Sequence, residues 1–316
     1  MGHFSPASGI PVVELGEKII SARSGSDWAS KCDEVRRALE EYGCFIVESD
    51  KISTEFGDKI VKAYQDLFDL PVETKRRNSY PSEPFLGYFG QHPKVPLHES
   101  VGMQGTAFEA VQRVADLMWP DQGNVEFCET IYSLMKSMED ISYVVSRMVF
   151  ESYGVSGLYE ACHTQMNHAT RLMKYRIPEP DETDLGLTPH VDTNFITVLY
   201  QSQTNGLEVQ KKTGEWVTAG LSPSSFVFMA GEGLMAWSNG RISASHHQVT
   251  MGKTGKTRYS FAVFTSIKWT ETPEELVDED HPLQYKAYDH DEYMRYISKT
   301  GLEKDPLSLK AFCGVN

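Results

Sequence analysis

The sequence predicts a mainly β protein with flanking helices. Three observations carry this. After about residue 165 the chain becomes a series of short strand-like runs separated by turn residues. Before that point, apolar residues recur at helical spacing. After residue 271 the tail turns acidic and helical again. Many short strands of even spacing read as a sandwich, jelly roll or barrel. We expect one unit over 1–316, with an N-terminal helical and strand region at 10–120, a β core at 165–270 and a tail at 271–316.

Taken in order, "IPVVEL" (10–15) reads as a first short strand. A helix follows from Ser26, with Trp28, Cys32, Val35 and Leu39 on one face and Gly43 as its stop. "CFIVES" reads as a buried strand. A second helix starts near Thr54, with Phe56, Ile60, Tyr64 and Leu67 aligned, and ends before Pro71. Residues 80–105 are rich in Pro, Gly and aromatics, which predicts a long structured loop of the kind that carries function. A long helix over Val125–Tyr153 follows. The strand-like runs are then "RLMKYRI", "NFITVLYQ", "GLEVQ", "EWVTA", "SFVFMA", "LMAWS", "SHHQVTM" and "RYSFAVFT".

The bulk numbers limit function. A net charge of −14 argues against a phosphate-backbone partner, so nucleic acid is not expected. No apolar run is long enough for a membrane helix, and the N-terminus lacks a signal-peptide pattern. Pro6 stands where a myristoylation signal needs Ser or Thr. The five cysteines are scattered, with no zinc spacing, which fits free thiols in a reducing cytoplasm.

The chemistry starts at "TPHVDTNFITVLY" (188–200). Residues two apart in a strand share a face, so His190 and Asp192 can converge on one ion. A third ligand has to come from another strand. His246 and His247 stand 54 and 55 residues beyond Asp192. Adjacent residues face opposite ways, so at most one of them serves. Two histidines and a carboxylate leave about three positions open on a metal, which suits non-haem Fe(II) and O2. A bidentate 2-oxo acid fills the remaining pair. Its far carboxylate asks for an arginine, and "RYS" puts Arg258 and Ser260 on one face of the next strand. Tyr175 can add a hydroxyl.

Together, H-V-D at 190–192, "WSNGR" at 237–241, H-Q-V at 247–249 and R-Y-S at 258–260 resemble the plant-type 2-oxoglutarate- and Fe(II)-dependent dioxygenases. "GLEVQKKTGEWV", "ALEEYGCFIVES" and "LFDLPVETKRRN" extend the resemblance to about 10–314. "GYFGQHPKVPLHESVG" and the tail resemble the branch with glucosinolate side-chain, auxin-oxidising and steroidal-alkaloid dioxygenases. The resemblance implies a double-stranded β-helix (jelly-roll) core. It implies His190, Asp192 and His247 as iron ligands, and Arg258 and Ser260, assisted by Tyr175, as the 2-oxoglutarate anchor. Four departures from the family pattern stand out. They are Gln248 for Arg, Met173 for Asn, Met229-Ala230-Gly231-Glu232 for an N-x-G-D stretch, and one extra residue between His247 and Arg258.

The implied reaction is hydroxylation of a small specialised metabolite or hormone, with 2-oxoglutarate and O2 consumed, succinate and CO2 released, and ascorbate supportive. The same site can instead desaturate, dealkylate or close a ring. An Fe(II) oxidase without 2-oxoglutarate, or a silent ligand-binding protein on the same fold, are the rival readings. Expected substrate contacts are Phe85, Tyr88, His98, Glu99 and Ser100 in the long loop, with Asn194, Phe264 and Phe312 beyond it. Phe195 suits either chamber wall or core. The partner is expected to be a small molecule, the chain a cytoplasmic monomer.

Overall fold

Helical and extended segments alternate in the computed structural model, which describes residues 9–49, 51–81, 83, 86–90, 92–202, 204–252, 255–301 and 307–315. The N-terminal region comprises β1 (Val12–Glu14), α1 (Glu17–Ala22), α2 (Gly25–Tyr42), β2 (Cys44–Glu48), α3 (Thr54–Phe68) and α4 (Val72–Lys75). Then come β3 (Tyr88–Gly90), β4 (His98–Gln104), α5 (Phe108–Met118), α6 (Val125–Ser152) and α7 (Tyr159–His163). The core holds β5 (Met166–Tyr175), β6 (Leu185–His190), β7 (Ile196–Gln201), β8 (Leu207–Gln210), β9 (Trp216–Thr218) and β10 (Ser225–Ala230). It continues with α8 (Glu232–Trp237), β11 (His247–Thr250) and β12 (Arg258–Ile267). The tail carries β13 (Trp269–Thr270), β14 (Tyr288–Asp289), α9 (His290–Thr300) and α10 (Ser308–Cys313).

Two sheets face each other. The larger has the order β1-β2-β10-β7-β12-β5-β4-β3, and the smaller β6-β11-β8-β9. Between them lies an apolar layer. The large sheet contributes Met173, Leu199, Val227, Met229 and Ala262, and the small one Leu207, Val209 and Val249. The opposite face of the large sheet, with Leu172, Val198, Phe226, Phe228, Phe261 and Val263, packs on the α6 stripe of Ile131, Leu134, Met138, Ile141, Val145 and Met148. Burial on both faces explains why β7 and β10 are buried throughout and read as apolar runs rather than as alternating strands.

The structure corrects several expectations. Residues 80–105 are not loop throughout, because β3 and β4 extend the large sheet beside β5. "LMAWS" is helical (α8), since a short apolar run does not distinguish a buried strand from a buried helix. Asn239 and Gly240, both with positive φ, close the end of α8. β11 and β12 belong to different sheets, so the chain crosses between sheets on its way from His247 to Arg258.

Candidate metal centre and co-substrate site

Antiparallel pairing of β6 with β11 sets His247 directly opposite His190, with ring centroids 4.2 Å apart. Nδ1 of each ring lies against a backbone carbonyl two residues earlier: Thr188 at 2.8 Å for His190 and Ser245 at 2.9 Å for His247. A carbonyl only accepts, so each Nδ1 carries the proton and each Nε2 offers a lone pair. Asp192 Oδ1 lies 3.8 Å from His190 Nε2 and 4.0 Å from His247 Nε2. Among the described residues, these three form the only such group of His, Cys, Asp or Glu close enough to share an ion.

Strand alternation does not place Asp192, because β6 ends at His190 and the aspartate sits in the turn beyond. The turn is held by main chain. The Glu232 N–H donates to the Asp192 carbonyl at 2.8 Å, Gly233 N–H to Asn194 O at 2.9 Å and Gly231 N–H to Phe195 O at 3.0 Å. The carboxylate is aimed by a side chain: Thr197 Oγ1 donates to Asp192 Oδ2 at 2.5 Å and accepts from Asn194 Nδ2 at 3.1 Å. One carboxylate oxygen is thereby held, and the other is left facing both imidazoles. His246 points the other way, onto Gln210 Oε1 at 2.8 Å and the Trp216 ring.

Arg258 opens β12 in register with Tyr175 on β5, and its guanidinium carbon lies 4.9 Å from the centre of the Tyr175 ring. The side chain is wholly buried. Nε and Nη2 both donate to Gln201 Oε1, at 3.0 and 2.9 Å, and Nη1 donates to Ser260 Oγ at 3.2 Å. Burial lowers its pKa, and no carboxylate is among the groups that counter this. Among the described residues this fully buried cation meets only neutral acceptors, an arrangement that asks for an anion. Gly206 gives it room: a Cβ there would stand 2.9 Å from Arg258 Cδ and 2.8 Å from Thr250 O.

Two family departures acquire physical meaning. With Met173 in the Asn position, the Tyr175 hydroxyl has a thioether acceptor at 3.7 Å. Gln248 donates to Glu208 at 2.7 Å on the face of the small sheet away from His247.

The expected substrate wall divides. His98, Ser100 and Phe264 lie on the inner face of the large sheet, with the His98 ring 4.9 Å from that of Tyr175. Tyr88 and Glu99 are on the other face, contrary to expectation. They bond to each other at 2.9 Å, and Glu99 pairs with the buried Lys75 at 2.5 Å. Asn194 braces Thr197, so it is not a wall residue. Phe195 is core, packed on Phe150 and Trp237. Phe312 joins a C-terminal aromatic cluster with Tyr288, Tyr293 and Tyr296. Phe85 lies outside the described residues. Sequence reasoning missed Thr197 and Gln201. Their signal was two polar residues of equal parity in an otherwise apolar buried strand.

A jelly roll carrying two histidines, one carboxylate and a buried unpaired arginine defines a non-haem iron oxygenase. The comparisons agree. The 2OG-Fe(II) oxygenase superfamily matches residues 162–267, and the N-terminal region named for the non-haem dioxygenase in morphine synthesis matches residues 10–108. "Probable 2-oxoglutarate-dependent dioxygenase AOP1" of Arabidopsis thaliana is 37% identical over 299 residues, covering 91% of this chain and 90% of the relative. The rice dioxygenase for auxin oxidation superposes with a TM-score of 0.79 at 27% identity, over 97% of this chain and all of that one. The 2-oxoglutarate complex of its Arabidopsis thaliana counterpart gives 0.74 at 26%, over 86% and 99%. The chain belongs to the 2-oxoglutarate- and Fe(II)-dependent dioxygenase family. Among the described residues, no helix is long and apolar enough to cross a membrane.

Proposed function

We propose that this chain oxidises a C–H bond of a small specialised metabolite or hormone, most simply by hydroxylation, with 2-oxoglutarate and O2 as co-substrates. His190, Asp192 and His247 hold the iron. Arg258 and Ser260 hold the far carboxylate of 2-oxoglutarate beside Tyr175. Residues 165–270 form the reacting core of a single unit that works on a free small molecule. The observation that carries this reading is the buried guanidinium of Arg258, which among the described residues has only neutral acceptors, on the same inner face as the triad's brace Thr197.

When bound, Fe(II) supplies O2 activation coupled to decarboxylation of the 2-oxo acid. The protein residues do the rest. The Thr188 and Ser245 carbonyls hold a proton on Nδ1 of each imidazole, with Nε2 turned to the centre. Thr197 fixes the carboxylate rotamer. Arg258 would offer its buried guanidinium to the far carboxylate of the co-substrate. The apolar layer of Leu199, Met173 and Ala262 keeps water from the chamber floor, which strengthens each of these interactions.

The test uses purified protein under anaerobic conditions with Fe(II) and 2-oxoglutarate, followed by O2 and a metabolite extract. The visible chelate band should form, and succinate should be released with a product one oxygen heavier. His247→Ala should abolish both band and turnover, whereas His246→Ala should keep most of each. Equal losses in the two variants would sink the ligand assignment.

A further inference from the structure

A second guanidinium stands on the inner face of the large sheet. Arg171 lies on β5 with the parity of Met173 and Tyr175, so all three side chains leave the strand on the same side. Its neighbours in register are Gly102 on β4 and Ala262 on β12, neither large enough to cover it. Ala262 in turn pairs with Leu199, and the next inner row holds Thr197 and Phe264. Arg171 is thus one row from the threonine that aims Asp192, and two strand spacings from β7, roughly 10 Å.

Its bonding resembles that of Arg258. Among the described residues, the guanidinium makes one hydrogen bond, Nη1–H to Ser100 Oγ at 2.8 Å, and no ion pair. Burial pushes its pKa down to about 10, countered only by Tyr175. Ser100 is fully buried, and it accepts from Arg171, so its own O–H is left to donate elsewhere. Across the sheet, Ser260, Met173 and Ser100 form one row. An arginine–serine pair therefore flanks Met173 on each side: Arg258 with Ser260, and Arg171 with Ser100. The first pair is assigned above to 2-oxoglutarate. The second has the same donors and likewise no acid, yet lies nearer the row of Thr197. Unlike Arg258, Arg171 is not wholly covered.

We propose that Arg171 and Ser100 bind an anionic group of the organic substrate, a carboxylate or a sulfate, so that the enzyme acts on organic anions. This rests on the function proposed above. Arg171 sets substrate choice; the metal and co-substrate groups remain those already named.

The experiment fractionates a metabolite extract by anion exchange into neutral, carboxylate and sulfate pools, the last two separated by elution at low pH. Each pool is given to the Fe(II) and 2-oxoglutarate-loaded wild type, Arg171→Gln, Arg171→Lys and Ser100→Ala. Succinate release is read against the dose of each pool. The visible chelate band reports 2-oxoglutarate binding separately. Wild type should release succinate with one anionic pool, which also identifies the anion. Arg171→Gln should need at least about tenfold more of that pool, recover at high dose, and keep the wild-type 2-oxoglutarate midpoint. Arg171→Lys should fall between. The inference is overturned by turnover from the neutral pool alone or by equal dose curves for wild type and Arg171→Gln. A shifted 2-oxoglutarate midpoint in Arg171→Gln overturns it too, as does a wild type that forms the band yet releases no succinate with either anionic pool. A wild type that forms no band at all refutes the proposed function instead.

Discussion

Replacing Arg258 with Gln should erase the stabilisation that 2-oxoglutarate confers on the metal-loaded protein. The magnitude can be worked out. A ligand at one hundred times its Kd stabilises the state it binds by about 2.7 kcal/mol. Unfolding entropy near 2.1 cal/mol/K per residue, over 316 residues, is roughly 0.66 kcal/mol/K. The melting temperature should therefore rise by ~4 °C in wild type. Arg258 would offer the co-substrate two charge-assisted hydrogen bonds, each worth about 1.5–3 kcal/mol, and their loss should weaken binding about a hundredfold or more. At the same concentration the stabilisation then drops to about 0.4 kcal/mol, a shift under about 1 °C. The assay is thermal unfolding under anaerobic conditions with Mn(II) in place of Fe(II), with and without 2-oxoglutarate. The variant without ligand should melt no lower than wild type, because a buried cation lacking an acid has been removed. A full ~4 °C shift in Arg258→Gln would show that the far carboxylate is held elsewhere.

Other changes test separate parts of the site. Thr197→Val keeps the shape but removes the donor to Asp192 Oδ2, so Fe(II) affinity by titration should fall about 10- to 100-fold while far-ultraviolet circular dichroism stays unchanged. Gly206→Ala forces a Cβ against Arg258 Cδ and a backbone oxygen, so it should lower the melting temperature and raise the 2-oxoglutarate KM together; a change in neither would show that the loop gives way. Glu232 is wholly buried, and burial raises its pKa from 4.5 to about 7, with the Tyr293 and Ser308 hydroxyls opposing. The folded state thus holds this proton more tightly than the unfolded chain does. The stability it contributes is full below pH 4.5 and is lost as pH rises to about 7. Across that window Glu232→Gln should show a flatter decline of melting temperature than wild type, and parallel curves would contradict the assignment.

Much of this site was legible in the sequence, for chemical reasons. Metal ligands and an anion-binding arginine are demanding residue types, and their order along the chain is a strong pattern even when each part is weak. The helices were legible because their apolar spacing repeats over many residues. Tyr88 and Glu99 were misplaced because parity within residues 80–105 depends on recognising β3 and β4, whose short polar alternation looked like loop. α8 was misread because the five residues after Glu232 carry no polar group except the Trp237 indole N–H, and its start is set by main-chain bonds to the Asp192 turn, which no side chain announces. Thr197 and Gln201 act through partners far apart in sequence or beyond a turn, and a strand pattern alone does not reveal what a buried hydroxyl or amide will meet.

The residue whose N–H holds the Asp192 carbonyl is Glu232, and its carboxyl group reaches the other way. It accepts from Tyr293 Oη on α9 at 2.6 Å and from Ser308 Oγ on α10 at 3.3 Å. Thr193, beside the aspartate, touches Met294 of α9 at 3.4 Å. The C-terminal helices add nothing to the group of His190, Asp192 and His247, yet they buttress this candidate metal site from behind. Cutting the chain after β13 would leave all three ligands and both sheets in place. The aspartate turn would have lost its backing, so such a protein should keep its β core and bind iron loosely.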